Sequence, residues 1–211
     1  MGLKAILRRL RFFAVEPDAD RIAEAQVPGI PDYPWYGVIE GDHIEQGDIV
    51  ESCPIFLPPD NLVIDAGGKP SSATFKWKEQ DLIVMSQSCD LVKGREKVDD
   101  ILLCAIWRRS ELAIDPHLGK DSGMEDARKG RMPAFHVLAS CVIPGFEREV
   151  RVVDFRRVYS LPVAFVRSRT RLSERLRLLP PYREHLSQSF ARFFMRVGLP
   201  IDIPPFTAKK A

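Results

Sequence analysis

The chain has 211 residues, of which 45% are apolar, 28% charged and 9% aromatic, with a formal net charge of +2. These values exclude a disordered chain, and the scatter of 13 Gly and 17 Pro excludes a collagenous or low-complexity one. No run approaches the roughly 18 uninterrupted apolar residues of a membrane-spanning helix.

Residues 2–13 predict a short basic amphipathic helix. Leu3, Ile6, Leu7 and Leu10 recur at helical spacing, with Lys4, Arg8 and Arg11 around them. Such a helix suits packing on the domain or a partner, or lying on a membrane surface. Residues 14–34 contain Pro17, Pro28, Pro31 and Pro34 and read as a linker or wrapping arm. The folded part is expected over 35–200, with 201–211 as a tail.

That folded part is β-rich. Trp35–Gly41 and Gly47–Phe56 are short apolar runs bounded by Gly and Pro. Residues 57–72 read as a turn-rich loop. Ala73–Gln80 alternates, as a strand with one wet face does, and Asp81–Ser88 reads as a buried strand. Lys97–Trp107, Phe135–Ile143 and Val150–Val166 complete the strand set. Seven or so short strands with irregular loops predict a small barrel or sandwich. Residues 108–133 are charged and aperiodic, and a loop of that length closes over a site, meets a partner or is an insertion.

The final helix is the clearest element. Pro181 sits near its first turn, and Gly198-Leu199-Pro200 stops it. Tyr182, Leu186, Phe190, Phe193 and Val197 share one face, and His185, Gln188, Arg192 and Arg196 share the opposite one. The polar stripe reads either as a solvated face or as a contact for nucleic acid or an acidic partner. Phe194 and Met195 lie off the core face, which suggests a protein contact.

Charge is unevenly spread. Residues 151–200 hold 11 Arg, no Lys and three acids (Asp154, Glu174, Glu184), whereas residues 1–150 hold more acids than bases. An excess carried by guanidinium alone suits phosphate or carboxylate partners, or else pairing with the acidic first part of the same chain. The residues singled out for nucleic-acid or partner binding are Arg156, Arg157, Arg167, Arg169, His185, Gln188, Arg192 and Arg196.

Cys53, Cys89, Cys104 and Cys141 show no C-x-x-C pair and no zinc-ribbon spacing, so no metal and no cofactor are expected. Without an apolar leader and cleavage site, four free thiols in a reducing cytoplasm are the simplest expectation. Cys89, beside Asp90 at the end of a buried strand, is the best candidate nucleophile, provided a base or cation stands near it. A buried structural thiol is the competing reading. Proximity of Cys53 to Cys89 is open. Asp42, Glu45 and Asp48 cluster near His43, and Asp99-Asp100 form a carboxylate pair. Acid–base or cation chemistry would need these to converge.

In order along the chain, Gly47–Val50 (GDIV), Leu82–Asp90 (LIVMSQSCD), Ile101–Ile106 and Arg151–Pro162 resemble the PemK/MazF family of bacterial toxins. The resemblance covers 47–197, with insertions at 57–72 and 108–133. It implies an SH3-like β-barrel closed by a terminal helix. It also makes Ser86, Gln87, Ser88, Cys89 and Asp90 the polar loop after the buried strand, with Ser86, Gln87, Cys89 and Asp90 as the weak catalytic candidates. Members of that family that cut RNA carry an Arg-Pro pair at the start of the buried strand and a Thr or Ser at the start of the next. Here those places hold Asp81-Leu82 and Val98-Asp99-Asp100, and an acid repels the phosphate. Lys76, Lys78 or an arginine of another strand are the remaining cations. The resemblance with these departures implies a non-cleaving binding module in a bacterial toxin–antitoxin or phage-defence assembly, binding a protein partner, a second copy, or RNA or DNA. Two alternatives stand beside it: a metal-independent endoribonuclease gripping RNA through 151–196, and a Cys89-dependent enzyme.

Overall fold

The computed structural model describes residues 33–57, 66–68 and 75–195. The expected helix at 2–13, most of the 14–34 arm and 57–72 loop, the 201–211 tail, Arg196 and Val197 lie outside the described residues. Among the described residues no helix is long and apolar enough to cross a membrane.

The described residues are mainly β, with two antiparallel sheets and three α-helices. The strands are β1 (Tyr36–Ile39), β2 (Ile49–Leu57), β3 (Lys76–Val84), β4 (Asp100–Arg108), β5 (Phe135–Leu138), β6 (Arg151–Pro162) and β7 (Arg175–Leu178). The helices are α1 (Asp121–Arg128), α2 (Val163–Thr170) and the C-terminal α3 (Tyr182–Phe194). One sheet runs β2-β3-β4-β6-β5, and the other pairs β1 with β7.

The strands do not close into a barrel. The small sheet meets β2 through a single bridge, Asp48 to Arg177, rather than a ladder. At the other seam the Tyr36 hydroxyl donates to the Ala139 carbonyl at 2.7 Å, again one bond instead of a strand pairing. Gly47 makes the first seam possible. Its φ is +88°, and a Cβ there would stand 2.9 Å from the Leu178 carbonyl oxygen.

Three local readings differ from the structure. The two strands expected at Ala73–Gln80 and Asp81–Ser88 are one, β3, which runs unbroken from Lys76 to Val84 while a bulge on the β2 side absorbs the register shift opposite Asp81. Val163–Val166 leaves the strand and enters α2, because Val163 and Val166 turn onto one buried face at i, i+3. The 108–133 insertion is ordered as a 3-10 turn at Glu111–Ile114 followed by α1. It packs Leu112, Leu118 and Ala127 on Phe135 and Val152.

The largest apolar cluster lies under α3. Leu186 is fully buried there, and Phe155 meets Phe190 edge-on with ring centroids 5.4 Å apart. Trp35 stacks on Tyr182 at 3.7 Å and ties β1 to the same helix. A second cluster lies under α2.

Asp48 is fully buried and holds the two sheets together. It accepts from Arg175 Nε at 3.0 Å and from Arg177 through Nε and Nη2. Its backbone carbonyl accepts from Val84 N at 2.9 Å, which ties it to β3. The two guanidiniums then bind the 41–45 loop through the Gly41 and His43 carbonyls and Glu45. Removing one member of a buried ion cluster leaves the others charged and unpaired. Asp48→Asn is therefore expected to lower unfolding free energy by roughly 3–5 kcal/mol in urea titration. A loss well under about 1 kcal/mol would show that the cluster does not hold the seam.

Candidate functional site

The polar loop sits at the end of β3 and is held by its own hydroxyls. Ser86 Oγ accepts from Leu102 N at 2.9 Å, and Ser88 Oγ accepts from Gln46 N at 3.1 Å. Gln87 Nε2 reaches Ser187 Oγ on α3 at 3.4 Å, and buried Gln46 donates to both Ser187 and the Met85 carbonyl. The structure thus brings the loop and α3 together, but through Ser187 rather than His185, Gln188 or Arg192. Asp90 accepts from Lys97 Nζ at 3.1 Å, and exposed Cys89 points its thiol at Asp90 at 3.5 Å. The neighbour of Cys89 is therefore an acid already held by a lysine, and the lysine's pKa is raised chiefly by that carboxylate.

Cys53 and Cys89 are both free, one buried and one exposed, so they form no pair. Burial pushes the Cys53 thiol up to about 11 and the Cys104 thiol up to about 12. Of the acids near His43, Glu45 meets the His43 ring at 3.1 Å and shares Arg177 with Asp48, and all three are taken up by cations of the chain. Asp42 holds Arg171 and Lys93, which bring its carboxyl down to about 2, while Glu45 faces Arg177 and Arg183 and Asp48 is internal. No group of three metal-ligating side chains forms among the described residues.

Most of the arginine excess is matched inside the chain. Arg156 forms a two-pronged pair with Asp154 at 2.9 Å per arm, Arg167 pairs with Glu96, and Arg183 with Glu45 and Glu184. Arg151, 1% exposed, shares Glu51 with Arg148. Among the described residues Arg169 meets only a backbone carbonyl, that of Ser52, at 3.3 Å. Gln188 and Arg192 are exposed on α3. Asp81, where the resemblance places the cleaving cation, accepts from Ser52 N at 2.9 Å and from Arg108 at 3.3 Å.

Arg157 stands apart from this pattern. β6 carries extra residues opposite the Cys104/Ala105 step, and this bulge turns Arg156 and Arg157 outward. Arg157 lies 5.5 Å from the Trp107 ring, and Lys78 Nζ lies 5.6 Å from the same ring. Neither has a carboxylate partner among the described residues. Burial, then the Arg157 charge, lowers the Lys78 pKa, as expected of two cations sharing one place. Phe56 and Trp77 are cross-strand partners on the same β2–β3 hairpin, 66% and 62% exposed. They occupy the opposite face from Lys78, because successive strand residues alternate. Sequence reading missed Trp107, which ends an apolar run and looks like core. Its meeting with Arg157 depends on β4–β6 register and a bulge, which leave no local signal.

No family model matches the chain, and no curated protein matches it either.

His185 packs edge-on against buried His136, with ring centroids 5.1 Å apart, and His136 Nε2 is buried without a partner. Burial, then the neighbouring His185, pushes the His136 pKa down from 6.5 to about 4. The unfolded chain therefore protonates His136 as pH falls through about 6.5, while the folded chain resists until about 4. Stability is lost on acidification within that window, by up to about 3 kcal/mol. Urea midpoints at pH 7 and pH 4.5 are expected to differ in the native protein and to differ much less in His136→Phe. An equal response in both would assign the acid sensitivity elsewhere. Thiol titration of the folded protein is expected to find one fast thiol, Cys89, and four in denaturant. Cys89→Ser is expected to leave fold and binding intact, and loss of activity in a folded Cys89→Ser protein would support the Cys89-dependent enzyme.

Proposed function

We propose that the protein is a non-cleaving binding module on a PemK/MazF-like, SH3-related scaffold, acting in a bacterial toxin–antitoxin or phage-defence assembly. Its ligand is a single-stranded nucleic acid. The observation that carries this reading is the pair Lys78 and Arg157, gathered at Trp107 with no acid beside them. Two like charges held this close repel, and a phosphate between them relieves the repulsion. The exposed rings of Phe56 and Trp77 lie on the other face of the same hairpin, and a single strand that passes over the β2 edge from Lys78 can stack bases on them without regard to sequence.

The non-cleaving part rests on Asp81. Its carboxylate, tied to Ser52 N and Arg108, opposes the negative charge that develops on a phosphate under attack. The family setting rests on the order of GDIV, the LIVMSQSCD strand, the closing β6 and α3.

Fluorescence anisotropy with labelled single-stranded RNA and DNA tests the reading. Affinity is expected to fall steeply with salt, and Lys78→Ala and Arg157→Ala are each expected to reduce the salt slope by about 0.7, one phosphate contact on a single strand. Trp77→Ala is expected to weaken binding about tenfold or more, the value of one stacked base. A flat salt response or no binding would remove nucleic acid as the ligand, and scission of the oligonucleotide would overturn the non-cleaving assignment.

A further inference from the structure

β2 is interrupted where Glu51 and Ser52 together oppose a single residue of β3, between the Val50–Leu82 and Cys53–Gln80 pairs. Ser52 adopts φ 46°, and it is the one non-glycine residue with positive φ among the described residues. A side chain in that region is strained, and such strain persists where surrounding contacts hold it. Both Ser52 backbone groups are used: its N–H on Asp81 and its carbonyl on Arg169 Nη2. The bulge thereby fixes a guanidinium that has no carboxylate of its own.

Beside it, between the bulge and the turn joining α2 to β7, lies a cleft of about 90 Å³. Arg148, Arg169, Ser173, Glu51, Phe146 and Glu174 are among its lining residues. The charge there is unbalanced. Glu51 serves both Arg148 and Arg151, and Arg169 Nε is buried with no acceptor. Leaving guanidinium donors buried and unanswered is costly, and a bound oxyanion removes the cost. The acid at the rim, Glu174, is paired with Glu40, which raises its pKa.

We propose that this cleft is a binding site for a phosphomonoester, with Arg169 and Arg148 as guanidinium donors and Ser173 as hydroxyl donor. Three donors suit an oxyanion with three terminal oxygens better than a planar carboxylate with two. A diester keeps only two free oxygens, as a carboxylate does, and so leaves one of the three donors unanswered. The site is separate from Lys78, Trp107 and Arg157 and stands or falls independently of the nucleic-acid reading.

Thermal melting and isothermal titration of the full chain with inorganic phosphate, phenyl phosphate, diphenyl phosphate and acetate test it. Phosphate and phenyl phosphate are expected to bind and raise the melting temperature with concentration, while diphenyl phosphate and acetate leave it unchanged. Arg169→Gln is expected to weaken phenyl phosphate binding roughly tenfold or more, the value of a charged hydrogen bond. Ser173→Ala, on an exposed turn that folding does not need, is expected to weaken it a few-fold, and Arg157→Ala not at all. No binding of either monoester, equal binding of acetate or of the diester, or undiminished binding in both Arg169→Gln and Ser173→Ala would overturn the proposal.

Discussion

The buried cluster of Asp48 with Arg175 and Arg177 is the interaction on which the architecture depends. The two sheets share no ladder, only one bridge at this point, so the seam is held by charge rather than by strand pairing. A carboxylate with two guanidiniums is stable inside a protein only when its remaining donors are met, and the 41–45 loop supplies those acceptors from its backbone. The loop between β1 and β2 is therefore ordered by arginines that arrive more than 120 residues later. The same cluster explains why β7 carries Arg at alternate positions and is nonetheless buried throughout.

That arrangement changes the meaning of the arginine excess. Taken alone, residues 151–200 look like a grip for an anionic partner. In the fold, Asp42, Glu45, Asp48, Glu51, Glu96 and Asp154 each take one or more of these arginines, mostly across a long stretch of sequence. The functional information lies in the exceptions. Arg157 is left over a tryptophan and Arg169 over a strained carbonyl. Each sits at a strand irregularity: the β6 bulge turns Arg157 outward, and the β2 bulge presents the Ser52 carbonyl to Arg169 of α2.

The polar loop has a structural role that its composition conceals. Ser86 and Ser88 each hold a backbone amide of a neighbouring segment, and Gln46 and Gln87 converge on Ser187. The loop thus joins the end of β3 to β4, to the Asp48 loop and to α3. Cys89 lies outside that web, exposed on an acid that is itself occupied by Lys97.

Legible in the residues alone are the β-rich class, six of the seven described strands in approximate position, the run of apolar residues through β3 and β4, and the amphipathic α3 whose Leu186, Phe190 and Phe193 pack as the spacing requires. These are set by period and by Gly and Pro punctuation, which act over a few residues. The sequence did not show β7, because alternating Arg and Leu look like a wet strand until Asp48 is known to lie beneath. It did not show α2, which continues an apolar strand pattern, or α1, which lies in an aperiodic insertion. Only the tertiary structure decided which arginines are neutralised and which remain available, since that depends on partners tens of residues away and on bulges that change where a strand points. Local pattern reports burial and period; charge pairing is settled by distance in space, and only the folded chain sets those distances.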